Sequence, residues 1–169
     1  MQFNITYIYI LAILGIILLY SYYYLFVNYK NSYELWGKIK GNLLNVYYVS
    51  MLLSTIGFLF LFYYLNITNI FNTTQINKIF ISLVCIVVIS MLWMPLSLQY
   101  LTKKNDFLMY QILLVLFLVS LSALYVVILL YNIKETEHKT SKLFALIGMI
   151  YFFIHAFFFD FITWSRNFF

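Results

Sequence analysis

The chain of 169 residues carries ten basic and five acidic side chains, and all but one lie between five long uncharged runs or at the chain's end; Asp160 alone sits inside a run. That segregation restricts the fold more than any other feature. A run without charge for about 20 residues can exchange water for lipid, and in lipid each backbone N–H and C=O needs a partner within its own segment. The uncharged runs cover residues 1–29, 41–77, 79–102, 107–133 and 143–159, the fifth resuming after Asp160 as far as residue 165. They predict an all-α polytopic membrane protein, a bundle of five transmembrane helices at about 5–27, 43–65, 79–101, 107–131 and 143–164. A chain that is 65% hydrophobic and 9% charged lacks the polar residues a water-soluble globule of this size needs for its surface.

The connections are too short for a separate soluble unit, so residues 1–169 read as a single domain, and each loop is short enough to join antiparallel neighbours. The first run has no basic residue before it, a long apolar core and no small-residue cleavage site after it, and it reads as a retained helix rather than a signal. The first loop, 28–42, mixes Tyr33, Leu35, Trp36 and Ile39 with Lys30, Lys38 and Lys40, a pattern suited to the headgroup region. One cysteine, Cys85, excludes an internal disulfide and a multi-cysteine metal site.

An odd number of spans puts the termini on opposite sides. The face of the first loop, third loop and C-terminus carries Lys30, Lys38, Lys40, Lys103, Lys104 and Arg166, six of the ten basic residues, which predicts a cytoplasmic C-terminus. The sequons at Asn4, Asn66 and Asn72 fall on the opposite face, and Asn72 is the accessible candidate for glycosylation. Small residues, Ser50 with Ser54, Ser120 near Ala123 and Ala145 with Gly148, predict faces where helices approach closely. The 22% aromatic content fits coding in an A+T-rich genome, so tyrosine and phenylalanine runs do not by themselves mark a ligand site.

Ionisable groups within a span are costly, which singles out His155 and Asp160. At a spacing of five they stand about 140° apart on an α-helix, so they are not expected to converge on one ligand. Asp160 then shares a face with Trp164 and Asn167. Two environments stay open for it: an ion pair with Lys103, Lys104 or Arg166, or a ligand-facing or proton-handling position. For His155 the alternatives are a neutral imidazole bonded to a hydroxyl on a neighbouring helix, or a functional role. A metal site is not expected, because the other histidine, His138, belongs to the opposite face. Pro95 removes a helix hydrogen bond beside Trp93, producing a kink that either opens a cavity or is plain architecture.

These positions give the chain a resemblance to the TspO/peripheral-benzodiazepine-receptor (translocator protein) family. Asp160, Phe161, Trp164 and Asn167 resemble the family's final-helix pattern of Asn, aromatic, Trp and Asn, with Asp in place of the first Asn. Trp93 and Pro95 are similar to its third-helix Trp and Pro region, and Tyr48 with Met51 to its second-helix Tyr and Met. The family's first loop carries Pro and several Trp, whereas this one has Trp36 alone. The resemblance implies a tetrapyrrole or sterol-like ligand between the helices, with Trp93, Asp160 and Trp164 nearest to it.

The candidate ligand-binding residues are therefore Trp93, Pro95, His155, Asp160, Trp164 and Asn167. The leading functional expectation is that the protein binds or moves a small hydrophobic ligand. The alternatives are an ion or proton pathway through His155 and Asp160, or a structural or assembly protein of an organelle or virus. No nucleophile, base and orienting group stand together in the sequence, so enzymatic activity is not expected. The expected partners are the lipid bilayer, a small hydrophobic ligand and further copies of the chain, and not nucleic acid.

Overall fold

A computed structural model describes residues 3–30, 32–134 and 137–169. Five long helices account for nearly all of them: α1 (Ile5–Asn28), α2 (Asn42–Ile67), α3 (Thr73–Lys103), α4 (Asp106–Asn132) and α5 (Lys139–Phe168). No strand occurs among the described residues. Each helix is long and apolar enough to cross a bilayer, the architecture of a multi-pass membrane protein. A 3-10 turn, Ser32–Trp36, follows α1. Asn31 of the first loop, and Glu135 and Thr136 of the fourth, lie outside the described residues.

The helix ends follow local chemistry. Asn4 caps α1 by accepting from the Thr6 N–H at 2.9 Å. Asn72 and Gln75 form a reciprocal capping box that starts α3 at Thr73 rather than at the first strongly apolar residue. Asn72, the glycosylation candidate, is exposed at that cap. Asn105 caps α4 through the Phe107 N–H. The α3 helix continues through Pro95, where Ser97 Oγ bonds the carbonyl of Trp93 at 2.7 Å.

Neighbours in the chain are not always neighbours in the bundle. Around it the helices run α1, α3, α4, α5, α2, and the hairpins α3/α4 and α4/α5 pack as antiparallel pairs. The expectation that every loop joins packed neighbours is wrong for α2, which packs on α5 and barely touches α1. The cause is a close approach of backbones. A Cβ on Gly57 would lie 2.5 Å from the carbonyl oxygen of Gly148, and one on Gly148 2.6 Å from the Gly57 Cα. Only two glycines let α2 and α5 cross this tightly. Gly148 belongs to the small-residue pair expected in α5; Gly57 carries the same signal in α2.

The half of the bundle toward the second and fourth loops is solid. Leu61, Tyr64, Leu65, Ile79, Leu83, Ala123, Val126, Leu130, Ala145 and Met149 form its core. α1 joins by stacking Tyr7 on Phe80 at 3.9 Å, with the Tyr7 hydroxyl donating to Asn77 at 3.0 Å. In the other half, Tyr47, Ile112, Leu116 and Trp164 make a smaller cluster that leaves a space at the centre.

The first loop, whose composition suits the headgroup region, docks onto this hollow half of the bundle. Leu35 and Ile39 are 2% and 0% exposed, which a surface segment would not be. Leu35 packs with Met94 and Leu98 of α3, and Ile39 with Tyr47 and Trp164. The Lys38 N–H donates to the Asn167 carbonyl at 2.9 Å. Gly37 makes the contact feasible twice over. Its φ of +55° suits glycine, and an added Cβ would collide with the Asn167 carbonyl oxygen and lie 2.8 Å from the Phe168 Cα.

Candidate functional site

The C-terminal part of α5 departs from α-helical geometry. Residues His155–Trp164 form a ten-residue π-helical segment. Such i→i+5 stretches are rare and usually short, and they recur at functional sites. Two hydroxyls follow the wider turn: Thr163 Oγ1 bonds the carbonyl of Phe158 at 2.7 Å, and Ser165 Oγ approaches that of Asp160 at 3.4 Å, each five residues back.

This geometry overturns the separation expected of His155 and Asp160. In a π-helix, with its i→i+5 hydrogen bonds, residue i+5 stands roughly one turn above residue i, so the two side chains fall on the same side and most of the 140° separation is lost. His155 Nε2 lies 3.6 Å from Asp160 Oδ1. The Tyr47 hydroxyl donates to the same carboxylate oxygen. The expected ionic partners, Lys103, Lys104 and Arg166, do not reach it: among the described residues the one basic side chain near its carboxylate is His155.

Behind the imidazole a second row of polar groups crosses to α2. Ser50 Oγ lies 2.9 Å from His155 Nδ1, and the Tyr151 hydroxyl donates to Ser50 Oγ at 3.1 Å. Ser50 Oγ has one proton to donate and two lone pairs to accept with, so it bridges the Tyr151 hydroxyl and Nδ1, and the imidazole tautomer sets the direction of the Ser50–Nδ1 bond. Tyr47 and Phe159 hold the ring from two sides, at centroid distances of 5.5 and 5.6 Å. Ser50, read from the sequence as a packing residue, is thus a polar partner, and neighbouring Ser54 spends its hydroxyl on the Ser50 carbonyl.

All five helices and the first loop meet around a central cavity of about 100 Å³. Tyr22 comes from α1, Trp36 from the loop, Tyr47 and Met51 from α2, and Ser90 and Trp93 from α3. Val115, Leu116 and Val119 come from α4, and His155, Asp160 and Trp164 from α5. The aromatic residues brace one another: Trp93 meets Trp164 edge-on at 5.3 Å, Trp36 meets Tyr47 at 5.5 Å, and Tyr22 lies 5.7 Å from Trp93. Trp164 is 1% exposed and donates its Nε1–H to the Leu35 carbonyl at 2.8 Å, tying α5 to the loop that covers the cavity. The Tyr22 hydroxyl donates to the Ser90 carbonyl. Trp93 Nε1 is buried with no acceptor, an omission that costs about 1–3 kcal/mol. Among the described residues no hydrogen bond reaches Asp160 Oδ2, and the partly exposed Asp160 side chain lines the cavity.

Counting along the helices sets the depth. Tyr47 lies five residues inside the start of α2, Asp160 eight before the end of α5, and Trp93 ten before the end of α3. At 1.5 Å per residue the cavity lies roughly 8–15 Å inside the face that carries the first loop and the C-terminus.

Of the six candidate residues, Trp93, His155, Asp160 and Trp164 come together on the cavity. Pro95 and Asn167 do not line it. Asn167 spends its side chain on the Thr163 carbonyl and its main-chain oxygen on Lys38, so its task is holding the loop. Tyr22, Trp36, Tyr47 and the Ser50–Tyr151 pair were missed. Seventeen tyrosines spread over every helix offered no contrast by which to choose these.

Contrary to the sequence reading, a serine, a histidine and an aspartate do stand together. Their arrangement is nevertheless poor for acyl transfer. The His155–Asp160 separation exceeds a hydrogen bond, Ser50 is 2% exposed, and the surrounding N–H groups are spent in helices, leaving no pair to bind an oxyanion. Among the described residues no group of three His, Cys, Asp or Glu side chains is placed to hold a metal ion. Compared with family models, curated proteins and solved structures, the chain has no match.

Proposed function

We propose that the protein binds a small apolar or amphipathic ligand in the cavity between its helices. The observation that carries this reading is a carboxylate within a spanning-length apolar helix, Asp160, on the wall of a chamber that all three tryptophans of the chain also line. Close-packed interiors leave few voids, and ionisable groups within spans mark ligand or ion sites by default. The likeness to the TspO family belongs to the same reading: Met51, Trp93, Asp160 and Trp164, four of the residues behind it, line the cavity.

Size decides which ligands fit. Sites for drug-sized molecules occupy about 300–1,000 Å³. At about 100 Å³ the chamber is too small for a tetrapyrrole or sterol unless the Ser32–Trp36 turn lifts off Trp164 and Asn167. Movement of a larger ligand would proceed through that opening. With the C-terminus cytoplasmic, as the basic residues favour, the cavity lies in the cytoplasmic half of the bundle.

The tryptophans supply a built-in reporter, because every one of them lines the site. Titration of the purified protein with 3,3-dimethyl-1-butanol, a compact neutral amphiphile, is expected to change the emission saturably. Val115→Phe, which fills the chamber from α4, is expected to remove the response. An emission that never saturates, or that Val115→Phe leaves unchanged, sinks the reading.

A proton pathway is the second reading, favoured by the row Asp160, His155, Ser50, Tyr151. It connects the cavity with a surface depression between α2 and α5 of about 280 Å³ that Ser50 and Tyr151 also line. Vesicles containing the protein would dissipate a pH gradient, and Ser50→Ala would slow the decay. Equal decay in protein-free vesicles refutes this pathway.

A further inference from the structure

We infer that the cavity recognises a methylated ammonium group, with Asp160 as its counter-ion and the surrounding aromatic rings as its wall. This rests on the reading that the cavity holds a ligand, and it names the ligand's chemical class. Among the described residues Asp160 is the only carboxylate on the cavity, and no lysine or arginine lines it. Its one basic neighbour, His155, has Nδ1 engaged by Ser50 and stands 3.6 Å away. A carboxylate held 8–15 Å inside the bundle at roughly this depth without a fixed cation is costly, and a cationic ligand supplies the missing charge.

The rest of the wall suits an organic cation rather than a bare metal ion. Oxygen and nitrogen ligands are too few to replace the hydration shell of a small ion. Instead the rings of Tyr22, Trp36, Tyr47, Trp93 and Trp164 surround the space. Ring faces attract an alkylammonium within about 6 Å of their centroids, most strongly when water is excluded. The volume agrees. About 100 Å³ corresponds to roughly three water molecules of liquid, and a 150 Å³ cavity accepts benzene, so a compact substituted ammonium head is the size of group that enters without repacking. Met51, which lines the chamber and is 40% exposed, marks where a longer substituent could leave it on the α2 side.

The head could arrive on a lipid or on a free solute. The deciding experiment places the full chain in phosphatidylglycerol nanodiscs and titrates tryptophan emission with choline and with 3,3-dimethyl-1-butanol, its isostere with carbon in place of nitrogen. Choline is expected to bind about tenfold tighter or more. Asp160→Asn is expected to bring choline down to the affinity of the neutral probe. Equal affinities of the two probes for the wild-type protein overturn the ammonium assignment and leave a ligand site standing. Saturation by neither removes the site as well. The wild-type comparison decides the matter even where Asp160→Asn fails to fold. In phosphatidylcholine nanodiscs, an emission already at its saturated position that choline no longer changes assigns the head to lipid; an unaltered choline titration assigns it to a free cation.

Discussion

Replacing Gly37 by alanine tests whether the first loop is a docked cover. Its φ of +55° costs a residue with a Cβ about 1–2 kcal/mol. The larger effect is steric, because the new methyl would collide with the Asn167 carbonyl oxygen and lie 2.8 Å from the Phe168 Cα, both rigid main-chain atoms of α5. The loop has to lift, which breaks the bond from the Lys38 N–H to Asn167, worth about 1 kcal/mol. It also parts the buried Trp164 indole N–H from the Leu35 carbonyl, for about 1–3 kcal/mol. Together these come to about 3–6 kcal/mol, which moves the closed-to-open ratio by about two to four decades. Gly41→Ala is the matched control: its φ is +58°, with nothing within 4 Å of the added carbon, so it bears only the conformational cost. Acrylamide quenching of the three tryptophans reads the outcome, since all of them line the chamber under the loop. Gly37→Ala should raise the quenching constant well above wild type, and Gly41→Ala should not. Equal constants for the two variants refute the docked-cover reasoning.

The interior makes further predictions. Gly57→Ala brings a methyl within 2.5 Å of the Gly148 carbonyl oxygen and should lower the melting temperature sharply by prising α2 from α5, whereas Gly15→Ala, with open space around it, should leave it level or slightly raised. Ser50→Ala strips His155 Nδ1 and the Tyr151 hydroxyl of a partner and should destabilise by about 1–3 kcal/mol in denaturant titrations. Ser54→Ala, whose hydroxyl bonds only its own helix, should cost less than half of that. Trp164→Phe keeps a ring but removes the bond to Leu35, and it should raise acrylamide access to Trp36 and Trp93 without unfolding the bundle.

The spans were legible because their cause is local. A charge-free run in lipid has one backbone solution, and the ends observed lie within a few residues of those expected, except at α3. There the Asn72–Gln75 spacing is itself a capping signal, and it outweighs the polar character of Gln75, Asn77 and Lys78. What composition could not convey was which helix lies beside which. That follows from contacts between residues 91 positions apart in Gly57 and Gly148, where one hydrogen in place of a methyl sets the packing. The docked loop was illegible for the same reason. Leu35 and Ile39 resemble interfacial residues until Gly37 lets the chain meet Asn167.

The largest misreading concerned five residues of one helix, and it has a physical test. A spacing of five separates His155 from Asp160 on an α-helix but aligns them on the π-helical turn that residues 155–164 adopt. A π-helical turn holds about one residue more than an α-helical turn, so removing one residue there lets one turn of the segment return to the α form with less displacement of its flanks than a deletion from an α-helix. Phe158 is the suitable residue, being 50% exposed and absent from the cavity wall. Without it, Asp160 would follow His155 by four positions, again a same-face spacing on an α-helix. The deletion should therefore leave the bundle folded and the emission response to 3,3-dimethyl-1-butanol intact. Deleting Leu121 from α4 removes a comparable outward residue, 42% exposed, from a helix with no such slack. There the loss would turn the buried Ala123, Val126 and Leu130 by about 100° away from the core and unfold the protein. If both deletions prove equally destructive, the wide turn is not what brings the acid to the imidazole, and the cavity's polar face needs another explanation.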